Sequence, residues 1–338
     1  MSDKWKRYSR QMLFSPVGME GQEMLAHKKV LIVGMGALGT VIANHLARAG
    51  TGHIVFADRD YVEESNLQRQ MLFAETDADS LKAKAQAAKE QLEKINSSIQ
   101  YTAHVTDVTK ENILDLLAGC DLVIDGTDNF ETRFLINDAA FHEEVPYIYG
   151  GAVSARGMQA SFIPGETPCL RCMVEPGAAG GQTCDTVGVL SMAVDLAASY
   201  QSAEGLKLLT GNRKAVRNTL LTFDIWQNSR FEMKLKKRED CPTCGTKEYP
   251  FLNSLEDSGI STLCGRDTVQ FQSKQEIDLS EWEKRLGKVA EVKKTPFLLR
   301  ADLDEEIRLV LFSDGRALIQ GTEDVTRARS IYSKYIGS

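Results

Sequence analysis

The chain has 338 residues, of which 43% are hydrophobic and 26% charged, a composition that excludes a disordered or collagen-like chain and allows about two globular domains. Forty Lys and Arg against 47 Asp and Glu leave a formal charge of −7, so nucleic acid is not the default partner, although a local basic pocket for one small anion stays open. The start, Met-Ser-Asp-Lys-Trp-Lys-Arg, continues into no apolar run and does not read as a secretory signal. The longest apolar stretch, from Val30, is interrupted by Gly34, Gly36 and Gly39, well short of the ~20 residues of a membrane span. Four of the seven cysteines form two CxxC pairs, which suggests metal rather than disulfides and a cytoplasmic protein with no membrane partner.

In chain order, residues 1–27 read as helical. An apolar strand over 28–33 then runs into Gly34-Met35-Gly36-Ala37-Leu38-Gly39, and an apolar helix follows over 37–48. Residues 53–57 form a second strand ending at Asp58, residues 80–96 a polar helix, and 99–105 a third strand. Further strands are expected at 121–125 and 146–149. Strands alternating with helices predict a Rossmann-like, mostly parallel sheet of the α/β class. After Gly150 the pattern predicts antiparallel strands at 158–163 and 219–224, with a long helix over 191–210 between them. We divide the chain into a larger α/β domain over 1–253 and a small α+β module over 254–338. In that module, strands are expected at 268–272, 297–300, 307–313 and 317–320, and helices at 280–286 and 325–335. Asp314-Gly315 marks a hairpin turn.

The loop from Gly34 through Gly36 to Gly39 follows a strand and opens a helix, the arrangement that lets a phosphate approach a helix N-terminus. Asp58 ends the next strand, where a carboxylate can accept from ribose hydroxyls. The loop alone does not separate a dinucleotide from another adenine nucleotide. The residues after it do. Ser65-Asn66-Leu67-Gln68-Arg69-Gln70, Lys82 and Thr127-Asp128-Asn129 fall after successive strands, and such loops converge on one crevice. Two cations with a carboxylate suit a triphosphate and its Mg²⁺.

Arg7-Tyr8-Ser9-Arg10-Gln11, the glycine loop, Asp58 with Ser65–Gln70, Thr127-Asp128-Asn129 and the two CxxC pairs stand in the order found in ThiF/MoeB adenylyltransferases, and residues 1–250 resemble that family. The resemblance implies ATP-dependent adenylation of the C-terminal Gly-Gly carboxylate of a ubiquitin-like sulfur-carrier protein, ThiS- or MoaD-like, for thiamine-thiazole or molybdopterin synthesis. It also implies a homodimer in which Arg10 reaches the partner subunit's nucleotide. Asn66, Arg69 and Lys82 would hold the phosphates, and Asp128 the magnesium. One departure is visible. The family commonly has Gly-x-Pro before the lysine, whereas here Asp79-Ser80-Leu81 precedes Lys82, with Lys84 as the neighbour that could replace it. Each of these residues also has a plain structural alternative: Arg10, Arg69 and Lys82 as surface charges, Asp128-Asn129 as a helix cap. Outside adenylation, the alternatives are an NAD-dependent dehydrogenase and a non-catalytic carrier-binding scaffold.

Cys169-Leu-Arg-Cys172 and Cys241-Pro-Thr-Cys244 together supply the four thiolates of a closed, structural Zn²⁺ site. Their separation in sequence makes this a clamp between distant segments rather than a zinc ribbon. Cys184 lies in the stretch Gly180-Gly181-Gln182-Thr183-Cys184-Asp185. In the family a cysteine in this loop is linked to sulfur handling or covalent contact with the carrier, and a sulfur-donor enzyme would then be a further partner. Cys120 and Cys264 read as packing residues. The module over 254–338 shows no rhodanese motif.

Overall fold

The structure, a computed structural model, describes residues 3–176, 187–254, 260–263, 267–273 and 275–337. It divides into two compact units, Met1–Ser254 and Leu255–Ser338.

The first unit is built on an eight-stranded sheet of order β3-β2-β1-β4-β5-β6-β7-β8. Its strands are β1 (Lys29–Val33), β2 (His53–Asp58), β3 (Gln100–Val105), β4 (Leu122–Asp125), β5 (Tyr147–Val153), β6 (Arg156–Phe162), β7 (Thr219–Asp224) and β8 (Ser229–Lys234). The first five strands in that order pair in parallel, and β5 to β8 pair antiparallel. This is the expected parallel sheet continuing into antiparallel strands. Val30-Leu31-Ile32-Val33 is buried throughout because helices cover both faces, as parallel sheets require.

The helices of this unit are α1 (Ser9–Met12), α2 (Gly18–Leu25), α3 (Ala37–Ala49), α4 (Glu75–Asp79), α5 (Lys84–Ile95), α6 (Ile113–Leu117), α7 (Phe130–His142), α8 (Leu170–Met173) and α9 (Ser191–Leu209). On one face of the sheet Val41, Ile42 and Leu46 of α3, Ala88 and Leu92 of α5 and Val194 and Ala198 of α9 form one core with Val30, Ile32 and Phe56. On the other face Ile113 and Leu117 of α6 and Phe134, Ile136 and Ala140 of α7 pack with Leu31, Val33 and Val123.

Two expectations change. Residues 1–27 are not one helix but a 3-10 turn followed by α1 and α2; Pro16 lacks the amide a helix interior needs and disfavours helical geometry in Ser15. The polar helix expected over 80–96 begins only at Lys84. Before it, Leu81 takes a positive φ of 51° and Ala83 bridges to Tyr61, so Lys82 lies on an extended lead-in, not in a helix. The helices α6 and α7 and the strand β8 were not legible from periodicity. Residues 133–141 of α7 are all buried, so α7 carries no polar stripe, whereas β8 is exposed along most of its length.

The second unit is an antiparallel six-stranded sheet of order β11-β12-β13-β14-β10-β9. Its strands are β9 (Ile260–Leu263), β10 (Thr268–Gln272), β11 (Glu291–Lys294), β12 (Leu298–Asp302), β13 (Arg308–Phe312) and β14 (Arg316–Gln320), and it carries α10 (Leu279–Leu286) and α11 (Val325–Tyr335). Leu286 and Ala328 from the two helices share a core with Leu299, Leu309, Leu311 and Ile319. Asp278 and Asp324 cap the two helices through their carboxylates. Asp314-Gly315 forms the turn between β13 and β14, with Gly315 at φ +88°.

Candidate functional site

The site is assembled at the C-terminal ends of β1, β2 and β4. Gly34, at φ +89°, leaves β1 in a left-handed turn, and a Cβ there would sit 2.8 Å from the Gly126 carbonyl oxygen after β4. A Cβ on Gly39 would collide with the Gly34 carbonyl. Both positions therefore require glycine for closure of the turn itself. Gly36 differs. It is the N-cap of α3, and a Cβ on it would make only ordinary contacts, with Gln70 Nε2 at 3.9 Å and Gly126 O at 4.0 Å, so closure of the turn does not itself require glycine there.

Asp58 closes this loop from β2. Its Oδ2 accepts from the Met35 amide at 2.6 Å and its Oδ1 from the Asp60 amide at 2.7 Å. Burial raises its proton affinity, the facing Lys84 ammonium opposes that, and neighbouring Asp60 adds to it. Lys84 is buried at the first position of α5 and pairs with Asp60 at 3.3 Å. By contrast Lys82, the residue expected to hold phosphates, is paired with Glu90 at 2.7 Å and Asp77 at 3.1 Å. The structure thus joins Lys84, not Lys82, to Asp58 and the glycine loop.

Asn66 is buried, and its Oδ1 accepts from the Glu63 amide at 3.3 Å to close a 3-10 turn over Glu64–Asn66. Arg69 follows, its Nη1 donating to the Ser65 carbonyl at 2.9 Å. Arg10 is exposed on α1 and makes no hydrogen bond or ion pair among the described residues.

Asp128 is exposed after β4, and Asn129 caps α7 by accepting from the Thr132 amide at 2.9 Å. Behind Asp128 lies a buried network that the sequence reading did not single out. Asp125 accepts from the Thr127 amide and hydroxyl at 2.8 and 2.7 Å, from Tyr147 Oη at 2.9 Å and from Arg133 Nε at 3.1 Å. Arg133 Nη2 donates to the carbonyls of Thr127 at 2.7 Å and Gly150 at 3.2 Å. Two of these contacts reach the loop that carries Asp128 directly, the Thr127 amide donating to Asp125 and the Thr127 carbonyl accepting from Arg133, so the network fixes its backbone. Arg59, whose Nη1 pairs with Asp107 at 3.0 Å, and Arg133 both feel the Asp128 carboxylate. The signal for Arg133 was its place one turn into α7, on the far side of the Asn129 cap.

The two CxxC pairs meet. Cys169 Sγ lies 3.5 Å from Cys241 Sγ and Cys172 Sγ 3.4 Å from Cys244 Sγ, and all four sulfurs fall within 4.8 Å of one another. A tetrahedral metal with bonds of about 2.3 Å needs sulfurs roughly 3.8 Å apart, so the donor set fits a four-coordinate soft cation. Neighbouring residues of α7 hold both knuckles: Asn137 Oδ1 accepts from the Leu170 amide at 2.8 Å, and Asp138 accepts from the Thr243 hydroxyl and, at 2.8 Å, from the Phe251 amide. The expected Cys184, and Cys264, lie outside the described residues. Cys120 is buried beside α6 as expected. Among the described residues, no helix is long and apolar enough to cross a membrane.

Comparison with known proteins gives the following. Residues 8–243 match the model of the ThiF family. The chain is 46% identical over 336 residues to the sulfur carrier protein ThiS adenylyltransferase of Bacillus subtilis, covering 98% of this chain and 99% of that protein. It is 37% identical over 247 residues to the Escherichia coli protein of the same name, covering 72% of this chain and 97% of that one. Among solved structures, E. coli MccB with MccA-N7isoASN superposes with a TM-score of 0.64 at 24% identity, over 72% of this chain and 75% of that one, a likeness of fold.

Proposed function

Because the chain belongs to the ThiF family, we propose that it activates a ThiS-like sulfur carrier for thiazole synthesis by adenylating the carrier's C-terminal Gly-Gly carboxylate with ATP. It is an adenylyltransferase. The choice of a ThiS-like over a MoaD-like carrier rests on the 46% identity to a ThiS adenylyltransferase along nearly the whole chain. The dehydrogenase alternative is not supported: neither named relative is a dehydrogenase.

In the reaction, a carboxylate oxygen of the carrier attacks the α-phosphorus and the bond to pyrophosphate breaks. No general base is required, since the carboxylate is already an anion at neutral pH. What the protein must supply is in-line positioning and relief of developing charge. Asp58 would orient the ribose. The α3 N-terminus, Asn66, Arg69 and Lys84 would hold the phosphates, and Asp128, steadied by the Asp125–Arg133 network, would hold a Mg²⁺ that would supply charge neutralisation for the departing pyrophosphate. Exposed Leu13 and Phe14, 72% and 63% accessible beside Arg10, support a homodimer that carries Arg10 into the partner's site, since two such side chains together mark an interaction surface. Cys184 is proposed to act after adenylation, in sulfur handling, with a sulfur-donor enzyme as second partner. ATP use and the five unbridged cysteines among the described residues support a cytoplasmic setting.

The observation that carries this reading is the Lys84–Asp60–Asp58 chain closing on the glycine loop. Its test is isotope exchange from labelled pyrophosphate into ATP. Exchange should require a ThiS-like carrier ending in Gly-Gly and vanish with a carrier lacking the last glycine. Exchange unaffected by the carrier would contradict the reading.

The four-cysteine site is proposed to hold structural zinc, with no position open for catalysis. One zinc per chain is expected by metal analysis. Stripping it should lower the melting temperature by on the order of 10 °C, because metal binding to such sites is folding free energy. A metal-free protein with unchanged melting would overturn the clamp.

A further inference from the structure

Gln22 lies on α2, and the mechanism above gives it no part. It is fully buried, yet both ends of its side-chain amide are engaged. Oε1 accepts from Gln11 Nε2 at 2.7 Å, and Nε2 donates to the Ala49 carbonyl at 2.9 Å. Gln11 Nε2 donates to that same carbonyl at 2.9 Å. Ala49 is the last residue of α3, so no amide of the helix itself is left to bond its carbonyl. On the other side of Arg10, Tyr8 is buried and its hydroxyl accepts from Asn96 Nδ2 at 2.8 Å. Asn96 Nδ2 also donates to the Ala47 carbonyl at 2.8 Å. Gly50, at φ +91°, makes room for both anchors, since a Cβ there would lie 2.6 Å from the Tyr8 ring and 2.8 Å from Gln22 Nε2. The residues flanking exposed Arg10 are thus tied to the C-terminal end of α3. The glycine loop stands at its N-terminal end, about 20 Å away along the 13 residues of the helix.

We infer that Gln22 is a positioning residue for Arg10: with Gln11 and the Ala49 carbonyl it fixes α1 so that Arg10 projects toward the nucleotide of the partner subunit. This rests on the reading of Arg10 as acting across a dimer and supplies what that reading lacks, a device that aims the side chain. The helix α1 has only four residues, too few to hold itself, so its direction comes from these contacts. A buried amide pair with every bond made admits one arrangement, where apolar packing would tolerate several. Without the pair α1 drifts, and the guanidinium spends less of its time where the phosphates react. The cost falls on the rate at saturating substrate, and it falls at the site of the other chain.

The test measures carrier-dependent ATP–pyrophosphate exchange in Gln22→Met and Gln11→Met, each alone and in isolated hybrid dimers with Asp128→Ala, alongside melting temperatures. Met keeps the volume and removes the amide. Each homodimer should lose roughly tenfold or more in its saturating exchange rate, the scale of a small misplacement far from the chemistry. In the hybrid, the site that keeps Asp128 receives Arg10 from the chain whose Gln22 and Gln11 are intact. That site should work at the wild-type rate, giving the hybrid about half the wild-type activity per dimer, since its second site lacks Asp128. A hybrid as slow as the Gln22→Met homodimer would overturn the inference, because the defect would then lie within the chain that carries it. A homodimer that exchanges at the wild-type rate would overturn it too. If Gln22→Met melts early, Gln11→Met, at a partly buried position, decides alone. Early melting of both, without recovery in the hybrids, would make the pair structural and reject the assignment. Hybrids of Arg10→Ala with Asp128→Ala that stay inactive would instead reject the action of Arg10 across the dimer on which this rests.

Discussion

Lys84→Ala should reduce carrier-dependent ATP–pyrophosphate exchange by roughly a thousandfold, while Lys82→Ala should stay within a few-fold of wild type; removal of one preorganised donor from a charge-developing site costs about 10²–10³ in rate. The two lysines are one residue apart, so a sequence pattern cannot easily separate them. The structure does. Lys82 is about one-third exposed and held by Asp77 and Glu90, whereas the Lys84 side chain is only 5% accessible and faces Asp60 and Asp58. Lys82→Ala removes a mostly exposed ion pair, the kind that contributes little to stability. Lys84→Ala also removes the cation that faces Asp58 and leaves Asp60 with Arg59 at 3.9 Å, so its melting temperature needs to be measured beside the rate. Lys84→Arg, which retains the charge, separates the two effects: recovered stability with exchange still low indicates loss of the phosphate contact. The reverse ranking, an inactive Lys82→Ala and an active Lys84→Ala, would return the role to Lys82.

Asp128→Ala and Arg10→Ala should each abolish exchange, and mixing the two should restore part of it. If Arg10 works across a dimer, one site in each hybrid dimer has Asp128 from its own chain and Arg10 from the other, while the second site has neither. Restoration therefore reports the geometry of the dimer as well as both roles. Asp128 is exposed on a loop whose backbone is fixed by Asp125 and Arg133, so its removal should leave the fold and carrier binding intact. Arg10 lies on a short helix beside exposed Leu13 and Phe14. Verified hybrid dimers that remain inactive would show that Arg10 acts within its own chain or not at all.

Much of the framework could be read from the residues because backbone constraints speak locally. Gly34 and Gly39 announce a turn that tolerates no side chain, and the apolar run from Val30 to Val33 announces a strand buried on both faces. The paired CxxC spacing likewise pointed to a four-cysteine cluster, and the structure brings the four sulfurs within 4.8 Å of one another. What could not be read depends on tertiary surroundings. Lys84 differs from Lys82 through Asp60, which reaches it from the end of β2, and by Ala83 bridging to Tyr61. Asp125 and Arg133 are an apolar strand's last residue and an arginine in a helix; only the fold brings Tyr147 and Gly150 against them.

If a carrier carboxylate oxygen attacks the α-phosphorus of ATP, that oxygen ends in AMP. A carrier with both C-terminal carboxylate oxygens replaced by a heavy isotope tests this most directly, with AMP analysed by mass spectrometry after the acyl adenylate is cleaved at its carbonyl by water or a thiol. Attack at phosphorus forms the new bond through the labelled oxygen, so AMP should carry one heavy oxygen. Unlabelled AMP, with the label retained wholly in the carrier, would contradict the account.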